Sequence, residues 1–349
     1  MKCLSLVERR AKVSTEHIES VYQVLDQSAM MLKEDLQVSY MEALIETGEN
    51  LLDNKTVRIL DGKPSKYTQD ELEALYEQVD LSEIASNELR QAIQLSILRG
   101  MREDFVQANH QMTPDSIGSL MAYLVEVLAP PKPEAPYHLL DLSIGTGNLT
   151  YTLFHFLNRD NRMIQLSGID NDELLLSLAA TSAALQDVTI SLTLQDALSN
   201  LLIEPADTIV SDLPVGYYPL DEQAEKFETS FSTGHSFTHH LMIEQGMNYL
   251  KEGGFGFYLV PSNLFESEEA KDLLAFIQKV GHFQGMLTLP KELFKTEQSR
   301  KSILIVQKNG VGTKQAKEVL LATAPDFKNL PAMQALIAEI TQWKHNFLN

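Results

Sequence analysis

The 349-residue chain carries 48 acidic and 28 basic side chains, which gives a formal net charge of −20 at pH 7. This charge opposes loose, sequence-independent attraction to a polyphosphate backbone, so any nucleic-acid partner must contact a local basic patch. The single cysteine, Cys3, excludes a disulfide framework and a cysteine-rich zinc module. The first residues lack the apolar segment of a signal peptide and no apolar run approaches a membrane span, so we expect a cytoplasmic protein without a membrane partner.

The first third of the chain has the pattern of a helical domain. Leu89, Ile93 and Ile97 recur at the spacing of one apolar helix face. Turn-forming residues at 61–65 interrupt the pattern, which predicts a break between helical hairpins. We predict an N-terminal helical domain, an α/β domain and a C-terminal helical tail at residues 1–110, 111–310 and 311–349.

The second predicted domain starts with a helix. Thr113 has the side chain of an N-cap residue, and Pro114 suits the first helical position. Apolar residues at helical spacing extend the helix to about Leu128, and the proline-rich segment 129–136 then ends it.

Seven strand-like runs follow, with helical patterns between most of the earlier ones. Alternating strands and helices predict an α/β fold with a doubly wound, seven-stranded, largely parallel Rossmann-like sheet. The last two runs are too close together for a crossover helix, so we expect them to pair antiparallel at one edge of the sheet. The predicted runs are residues 138–143, 164–170, 189–195, 206–211, 254–260, 284–289 and 302–307.

A glycine turn connects the first of these strands to a helix. The strand contains Asp141, and Gly145 and Gly147 follow it. Two glycines let the backbone approach a ligand closely, although a tight turn without any ligand has the same pattern. Thr150 stands where a dinucleotide-binding turn needs its third glycine, so NAD is the less favoured ligand.

Acidic residues also end the next two strands. Asp170 closes the second strand and Asp196 follows the third. Ligands bind at the carboxyl edge of a doubly wound sheet, and Asp170 is placed to accept hydrogen bonds from ribose hydroxyls. Its alternative role is to cap the helix that begins near residues 171–172. Carboxylates at three successive strand ends suit a cationic cofactor with a ribose and an adenine amino group, which describes S-adenosylmethionine.

The fourth strand ends in the sequence Asp212, Leu213, Pro214, Val215. An amino group that attacks a methyl sulfonium needs acceptors for its hydrogens, so that its lone pair points at the methyl carbon. The Asp212 carboxylate and the Leu213 carbonyl can supply those acceptors. The alternative is a strand end and loop without chemistry.

Taken in order, these segments resemble the class I S-adenosylmethionine-dependent methyltransferases, especially the N6-adenine-specific DNA methylases. Residues 109–117 are similar to the segment before the sheet in the methylation subunits of type I restriction-modification systems, which also begin with a helical domain. The resemblance covers approximately residues 109–308. It implies direct displacement without a covalent intermediate or a metal, and a separate specificity partner.

The resemblance also assigns roles within the predicted site. The cofactor-binding residues are then Thr113, Pro114, Asp141, Ser143, Gly145, Gly147, Asn148, Asp170, Asn171, Asp196 and Ala197. Of these, Thr113 and Pro114 would contact the methionine part, Asp141, Gly145 and Gly147 the methionine and turn region, Asp170 the ribose and Asp196 the adenine. The predicted catalytic residues are Asp212, Leu213, Pro214 and Tyr217.

The motif at residues 212–215 departs from the Asn/Asp/Ser-Pro-Pro-Tyr/Phe pattern of the family at two positions. Leu213 replaces the first proline, which preserves the backbone carbonyl. Val215 replaces the aromatic residue, whose stacking on an extruded base is worth about 1–3 kcal/mol in comparable sites. Tyr217 and Tyr218 are the candidates to replace that ring.

The segment 289–301 is a basic loop in an otherwise acidic chain. Lys291, Lys295 and Arg300 are predicted to bind substrate phosphates of DNA or RNA by charge-assisted hydrogen bonds. The alternative is a solvated edge loop. His235 and His239 have a spacing that metal sites use, but no neighbouring glutamate completes a metalloprotease pattern, so we predict no metal.

Three functions follow from these residues. The first is an N-methyltransferase that acts on an adenine-type amino group of a nucleic acid. The second is a methyltransferase for RNA or a protein side chain, which Val215 and the acidic surface favour. The third is a non-catalytic S-adenosylmethionine-binding sensor or scaffold, in which Leu213 and Val215 mark a lost reaction.

Overall fold

The computed structural model of the chain describes residues 2–104, 112–132, 134–158 and 162–348, with side chains from residue 14 onward. Asn109, His110 and Gln111 of the predicted pre-sheet segment therefore lie outside the described residues. The chain forms two compact units. The first unit comprises the chain up to Met112 with residues 145–151 and 172–190, and the second comprises residues 113–144, 152–171 and 191–349.

The helical part of the first unit consists of α1 (Lys2–Leu36), α2 (Tyr40–Leu52), α3 (Lys66–Tyr76) and α4 (Ser86–Glu103). Side-chain oxygens cap the N-termini of two of these helices. Ser39 and Glu42 form a capping box at α2, and Ser65 caps α3. The predicted break at 61–65 is confirmed, because Asp61 and Gly62 adopt positive φ between α2 and α3.

The core of the first unit extends beyond the N-terminal helices to α7 (Glu173–Leu185). Apolar side chains of α7, including Leu175 and Leu178, are buried in the same cluster as those of α1, α2 and α4. Gly48 of α2 lies against Thr181, because a Cβ at Gly48 would come within 2.2 Å of the Thr181 Cγ2 atom. One helix of the α/β half of the sequence is therefore part of the core of the helical unit.

The second unit contains the sheet and most of the remaining helices. The strands are β1 (Tyr137–Asp141), β2 (Ile164–Asp170), β3 (Ile190–Leu194), β4 (Ala206–Asp212), β5 (Leu250–Pro261), β6 (Gly281–Thr288), β7 (Lys301–Lys308) and β8 (Leu320–Thr323). Their order is β3-β2-β1-β4-β5-β7-β6-β8. Strand β1 is parallel to β2 and β4, β4 is parallel to β5, and β7 is antiparallel to both of its neighbours. The other helices are α5 (Asp115–Leu128), α6 (Asn148–Leu157), α8 (Asp221–Ala224), α9 (Thr238–Tyr249), α10 (Ala270–Val280) and α11 (Leu330–Trp343).

The predicted α/β fold with an N-terminal helical domain is confirmed, and each of the seven predicted strands is present. The predicted strand count was wrong by one, because β8 lies in the segment expected to be helical. Four residues are too few for a readable periodicity, and β8 exists through parallel pairing with β6. The β6 and β7 pair is antiparallel as predicted but does not lie at the edge, because β8 covers β6.

The tail after β8 is helical, as predicted, and α11 accounts for most of it. Trp343, near its end, is buried and its Nε1 donates a hydrogen bond to the Glu318 carbonyl oxygen at 2.7 Å. In the described part of the chain, no helix combines the length and the apolar character needed to cross a membrane.

Candidate active site

The acidic residues predicted at strand ends lie at one edge of the sheet in the second unit. Asp141, Asp170 and Asp212 are the last residues of β1, β2 and β4, whose neighbouring members run parallel. The Asp170 carbonyl accepts a hydrogen bond from Gln195 N at 2.9 Å, which ties the segment before Asp196 to the end of β2. The strand topology therefore brings these four residues to the edge at which ligands bind in doubly wound sheets.

Asp141 joins the ends of β1 and β4. It is 1% exposed, and its Oδ1 accepts hydrogen bonds from Ser211 Oγ at 2.8 Å and from Ser143 N at 3.1 Å. The Ser143 hydroxyl in turn donates to the Asp212 carbonyl oxygen at 3.0 Å. Asp141 and Ser143 thus hold Asp212 in place, whatever they contact in a bound ligand.

Asp170 does not cap the helix after β2, which was its alternative role. Asp172 is the N-cap of α7, and its carboxylate accepts a hydrogen bond from Leu175 N at 3.0 Å. Asp170 is half-buried at the strand end, followed by the exposed Asn171. The capping interpretation of Asp170 is therefore wrong, and a ligand-binding role remains its prediction.

The Asp196 carboxylate accepts hydrogen bonds from two donors of the second unit. Its Oδ1 accepts a hydrogen bond from Leu198 N at 2.9 Å, and its Oδ2 accepts one from the Tyr218 hydroxyl at 2.5 Å. Burial and the adjacent carboxylate raise the pKa of Tyr218, so the hydroxyl keeps its proton and remains a donor. The neighbouring Ala197 carbonyl accepts from Gln245 Nε2 at 2.7 Å.

Tyr218 does not present a ring face to a substrate. Its side chain is 5% exposed and lies in the apolar cluster of the second unit. Its expected role in stacking on a base is corrected to a role in holding Asp196, because the residue points into the core. Of the two candidate tyrosines, Tyr217 is the accessible one, with 62% of its surface exposed.

The Tyr217 ring is supported from behind by a column of rings. It stacks on Phe237 with the ring centroids 4.9 Å apart and the planes at 15°. Phe237 stacks in turn on His239, with centroids 5.1 Å apart and planes at 20°. Hydrogen bonds from Tyr218 N to the Ser236 carbonyl and from Thr238 N to the Gly216 carbonyl fix the two segments against each other.

The Asp212 carboxylate has two donors, one on each oxygen. Thr113 Oγ1 donates to Oδ2 at 2.8 Å, and Lys301 Nζ donates to Oδ1 in a short hydrogen bond. The side chains of Asp212 and Lys301 are 21% and 25% exposed, so a ligand can reach both. Each oxygen of the predicted catalytic carboxylate thus already accepts one hydrogen bond from the protein itself.

The placement of Thr113 corrects the predicted start of α5. The helix begins at Asp115, Pro114 occupies the N-cap position, and no side chain caps this end. Thr113 is 7% exposed and its hydroxyl is directed to Asp212. Because the Thr113 hydroxyl donates to Asp212, it does not cap the helix. A long-range hydrogen bond thus takes the place of the local cap that the sequence predicted.

Lys301 is a site residue that sequence reasoning missed. It is the first residue of β7 and pairs with Pro261, the last residue of β5. Because β7 runs antiparallel to β5, its beginning lies at the edge where the parallel strands end. Finding it from the sequence would require the strand order, which no local pattern contains.

The residues after Asp212 explain the first departure from the family motif. Leu213 is 0% exposed, packs in the core of the second unit, and its N–H donates to the Leu259 carbonyl at 3.1 Å. A leucine therefore fills a core position here. Pro214 is half-buried and Val215 is 42% exposed, so the loop turns outward after Leu213.

His239 and His240 lie within the first turn of α9 and are buried. Burial lowers the pKa of His239 to about 3 and that of His240 to about 4. Both are therefore neutral at physiological pH. Among the residues that the structure describes, no group of three or more His, Cys, Asp or Glu side chains is arranged to hold a metal ion.

Two basic side chains of the loop are exposed, and a third is hydrogen-bonded within the loop. Lys291 and Lys295 are exposed. The Arg300 side chain is 18% exposed, and it donates from Nε to the Leu289 carbonyl at 2.8 Å and from Nη1 to Glu297 Oε1 at 3.1 Å. Two N–H donors of Arg300 thus hold the loop, the two lysines project from it, and phosphate binding by Arg300 stays a prediction.

The glycine turn belongs to the first unit. Gly145 and Gly147 have φ of 53° and 82°, in the left-handed region that favours glycine. A Cβ on Gly147 would come within 2.2 Å of the Tyr151 ring, whereas a Cβ on Gly145 would meet no atom of the described residues within 4 Å. Asn148 is the first residue of α6 and is buried. The predicted strand-turn-helix geometry is present, with open space beside Gly145.

Two family models and a protein of known sequence match this chain. A model of the N-6 DNA Methylase family matches residues 103–336, and a model of the YtxK N-terminal helical domain matches residues 19–101. The chain is 42% identical over 328 residues to the uncharacterized protein YtxK of Bacillus subtilis (strain 168), which covers 94% of this chain and 98% of that protein.

Two solved structures extend the comparison. A Listeria monocytogenes protein assigned to the class I S-adenosylmethionine-dependent methyltransferases has a TM-score of 0.86 at 42% identity, covering 94% of this chain and 99% of that one. The methyltransferase subunit of a type I restriction-modification system from Streptococcus thermophilus has a TM-score of 0.64 at 15% identity, covering 95% and 80%. The second likeness concerns the fold.

Proposed function

Because the chain belongs to the N-6 DNA methylase family and is at family level an S-adenosylmethionine-dependent methyltransferase, we propose that it methylates the exocyclic amino group of a nucleobase of the adenine type. The observation that carries the proposal is the accessible Asp212 carboxylate at the end of β4, followed five residues later by the exposed ring of Tyr217. A carboxylate acceptor and an aromatic face are the two contacts that a flipped amino-bearing base needs.

The residues present fit S-adenosylmethionine. In the second unit, Asp170 ends β2 at the ligand-binding edge and Asp196 follows β3, so that they would hold the ribose and the adenine. In the first unit, Gly145 has positive φ and open space where a side chain would be. When bound, the cofactor supplies an electrophilic methyl group. Thr113, Pro114, Asp141, Ser143, Gly147, Asn148, Asn171 and Ala197 complete the proposed cofactor set.

The proposed chemistry rests on acceptors for the amino hydrogens. Asp212 would accept one N–H of the acceptor amino group, and the Leu213 carbonyl the other, which orients the nitrogen lone pair and favours positive charge on nitrogen as the new bond forms. Pro214 shapes the backbone after them. Lys301 occupies Asp212 Oδ1 in the resting protein, so the ammonium must move or share that oxygen when the acceptor enters.

Tyr217 is the proposed stacking residue in place of the aromatic ring that Val215 lacks. Phe237 supports the ring from behind, so the stacking face is held in place before the acceptor binds. Lys291 and Lys295 would contact the phosphates on either side of the base. By analogy with the type I system neighbours, a separate partner subunit would provide sequence recognition.

Methyl transfer from tritiated S-adenosylmethionine to DNA, RNA and a cell protein extract tests the proposal. We expect incorporation into DNA, and loss of incorporation in Asp212→Ala with cofactor affinity retained. Label in RNA or protein alone supports the second function, which Val215 and the net charge of −20 favour. Calorimetric binding of cofactor without turnover in any fraction supports the sensor or scaffold, which the existing hydrogen bonds to both oxygens of Asp212 favour.

A further inference from the structure

A buried arginine of the helical part contacts the glycine turn within the first unit. Arg90 lies on α4 and is 4% exposed. Its Nε donates a hydrogen bond to Asn87 Oδ1 at 2.9 Å, and its Nη1 donates to Asn148 Oδ1 at 3.1 Å. Asn148 directly follows Gly147 and begins α6. The guanidinium thus connects the helices before residue 112 to the first residue after the turn.

A second contact holds α6 three residues after Asn148, at Tyr151. Tyr151 Oη donates to the Ala179 carbonyl of α7 at 2.7 Å, and Tyr151 N donates to the Gly147 carbonyl at 2.9 Å. Just before these anchors, Gly145 and Gly147 adopt conformations that glycine reaches without strain but does not prefer over others. The conformation of the turn therefore depends on what holds Asn148 and the first turn of α6, which follow it directly.

The chemistry of the Arg90 contact suits a positioning role. Burying a guanidinium costs more free energy than burying an apolar side chain of the same volume, so packing alone does not call for arginine here. A planar guanidinium restrains its partners in direction, and it is charged at every physiological pH. Hydrogen bonds to Asn87 and Asn148 fix the plane of the guanidinium. The guanidinium in turn restrains the side chain of Asn148.

We propose that Arg90 is a positioning residue for the cofactor turn, through which the N-terminal helices set the affinity of the protein for S-adenosylmethionine. The inference rests on the proposed function, because it takes residues 145–148 as part of the cofactor site. It adds that the helical domain contributes to cofactor binding.

The test compares Arg90→Met and Arg90→Lys with Arg99→Met in the full-length protein. Arg99 is a matched control on the same helix: it hydrogen-bonds to Asp26, and its guanidinium carbon lies 5.7 Å from the centroid of the Tyr40 ring. Its replacement disturbs the helical core without touching Asn148. Circular dichroism and thermal melting establish that each variant is folded.

Calorimetry with S-adenosylhomocysteine is the first measurement. We expect Arg90→Met to lower the affinity by about tenfold or more, because a buried hydrogen-bond acceptor that loses its donor weakens an equilibrium by a factor of this order. Arg90→Lys should fall between Arg90→Met and the wild type, because one ammonium cannot reproduce both guanidinium contacts. Arg99→Met should bind like the wild type. Wild-type affinity in Arg90→Met, or an equal loss in Arg99→Met, would overturn the inference.

Hydrogen exchange without ligand is the second measurement. The amide of Tyr151 should exchange faster in Arg90→Met than in Arg99→Met, because only the first variant releases the turn. Unchanged exchange in Arg90→Met contradicts the positioning role. If the wild-type protein does not bind S-adenosylhomocysteine, the proposed function fails, while exchange at Tyr151 still decides whether Arg90 holds the turn. Should Arg90→Met be unfolded, Arg90→Lys decides by the same two measurements.

Discussion

The Lys301 ammonium donates a hydrogen bond to one oxygen of the Asp212 carboxylate, and the Thr113 hydroxyl donates to the other. A lone carboxylate at this position would attract a cation or an amino group without competition. Here the protein supplies a cation of its own, from the first residue of an antiparallel strand. Acceptor binding at Asp212 therefore competes with an existing ion pair.

We expect Asp212→Asn and Asp212→Ala to lower the rate of methyl transfer by about 10²–10³-fold, the usual loss when one preorganised electrostatic contact to a reacting group is removed. Cofactor affinity should stay at the wild-type level, because Asp212 is assigned to the acceptor. Radiolabel transfer and calorimetry on the same preparations check both parts. A variant that keeps full turnover contradicts the catalytic role of Asp212.

The Lys301–Asp212 pair should also contribute to stability. Lys301→Met is expected to lower the free energy of unfolding by roughly 1 kcal/mol, because the pair is partly buried and a carboxylate is left with one donor fewer. Lys291→Met, at an exposed position, is the control and should have no effect. Chemical denaturation of Lys301→Met, of Asp212→Asn and of the variant that combines them gives the coupling energy of the pair. Additive effects would show that the two side chains do not interact in solution.

Tyr217 should control acceptor affinity. Tyr217→Ala is expected to weaken acceptor binding by about 1–3 kcal/mol, the value of one base-aromatic stack, while Tyr217→Phe keeps the ring and should behave like the wild type. The KM for the acceptor should rise more than kcat falls. An equal loss in Tyr217→Phe would point to the hydroxyl instead of the ring.

His239 and His240 predict a loss of stability in mild acid. Burial holds their folded-state pKa near 3 and 4, below the ordinary value of 6.5. As the pH falls below 6.5, the unfolded chain takes up protons that the folded protein refuses, so stability present above pH 6.5 declines toward the folded pKa values. The slope is at most about 1.4 kcal/mol per pH unit for each histidine.

His239→Phe keeps a ring against Phe237 and should flatten this decline, because one of the buried histidines with a lowered pKa is gone. Urea unfolding at several pH values between 7.5 and 4.5 provides the measurement, with the wild type as reference. If the variant and the wild type lose stability in parallel, His239 does not titrate as its burial requires.

The basic loop should contribute to the salt dependence of nucleic-acid binding. If Lys291 and Lys295 contact phosphates, changing both to glutamine should weaken nucleic-acid binding about equally across sequences and reduce the slope of log K against log salt by about 2. Lys271→Gln, another exposed lysine, serves as the control. An unchanged slope in the double variant would remove the loop from the interface.

Several features were readable from the sequence because they are local. The apolar runs that became β1 to β7, the glycine turn and the acidic residues at strand ends each depend on short segments whose periodicity or backbone freedom is visible in the residue order. The Asp212 motif was identified in the same way. Their spacing also carried the family resemblance, which the comparisons confirm.

Other features required the tertiary structure. The strand order β5-β7-β6-β8 places Lys301 beside Asp212 and gives β8 a partner, and neither follows from a local pattern. Thr113 has the sequence of a cap, but a hydrogen bond across 99 residues takes its hydroxyl. Tyr217 and Tyr218 are adjacent in the chain, and only packing decides that one is exposed and the other buried. Local sequence thus determined which chemistry the strand ends carry, while long-range packing determined which side chains share each site.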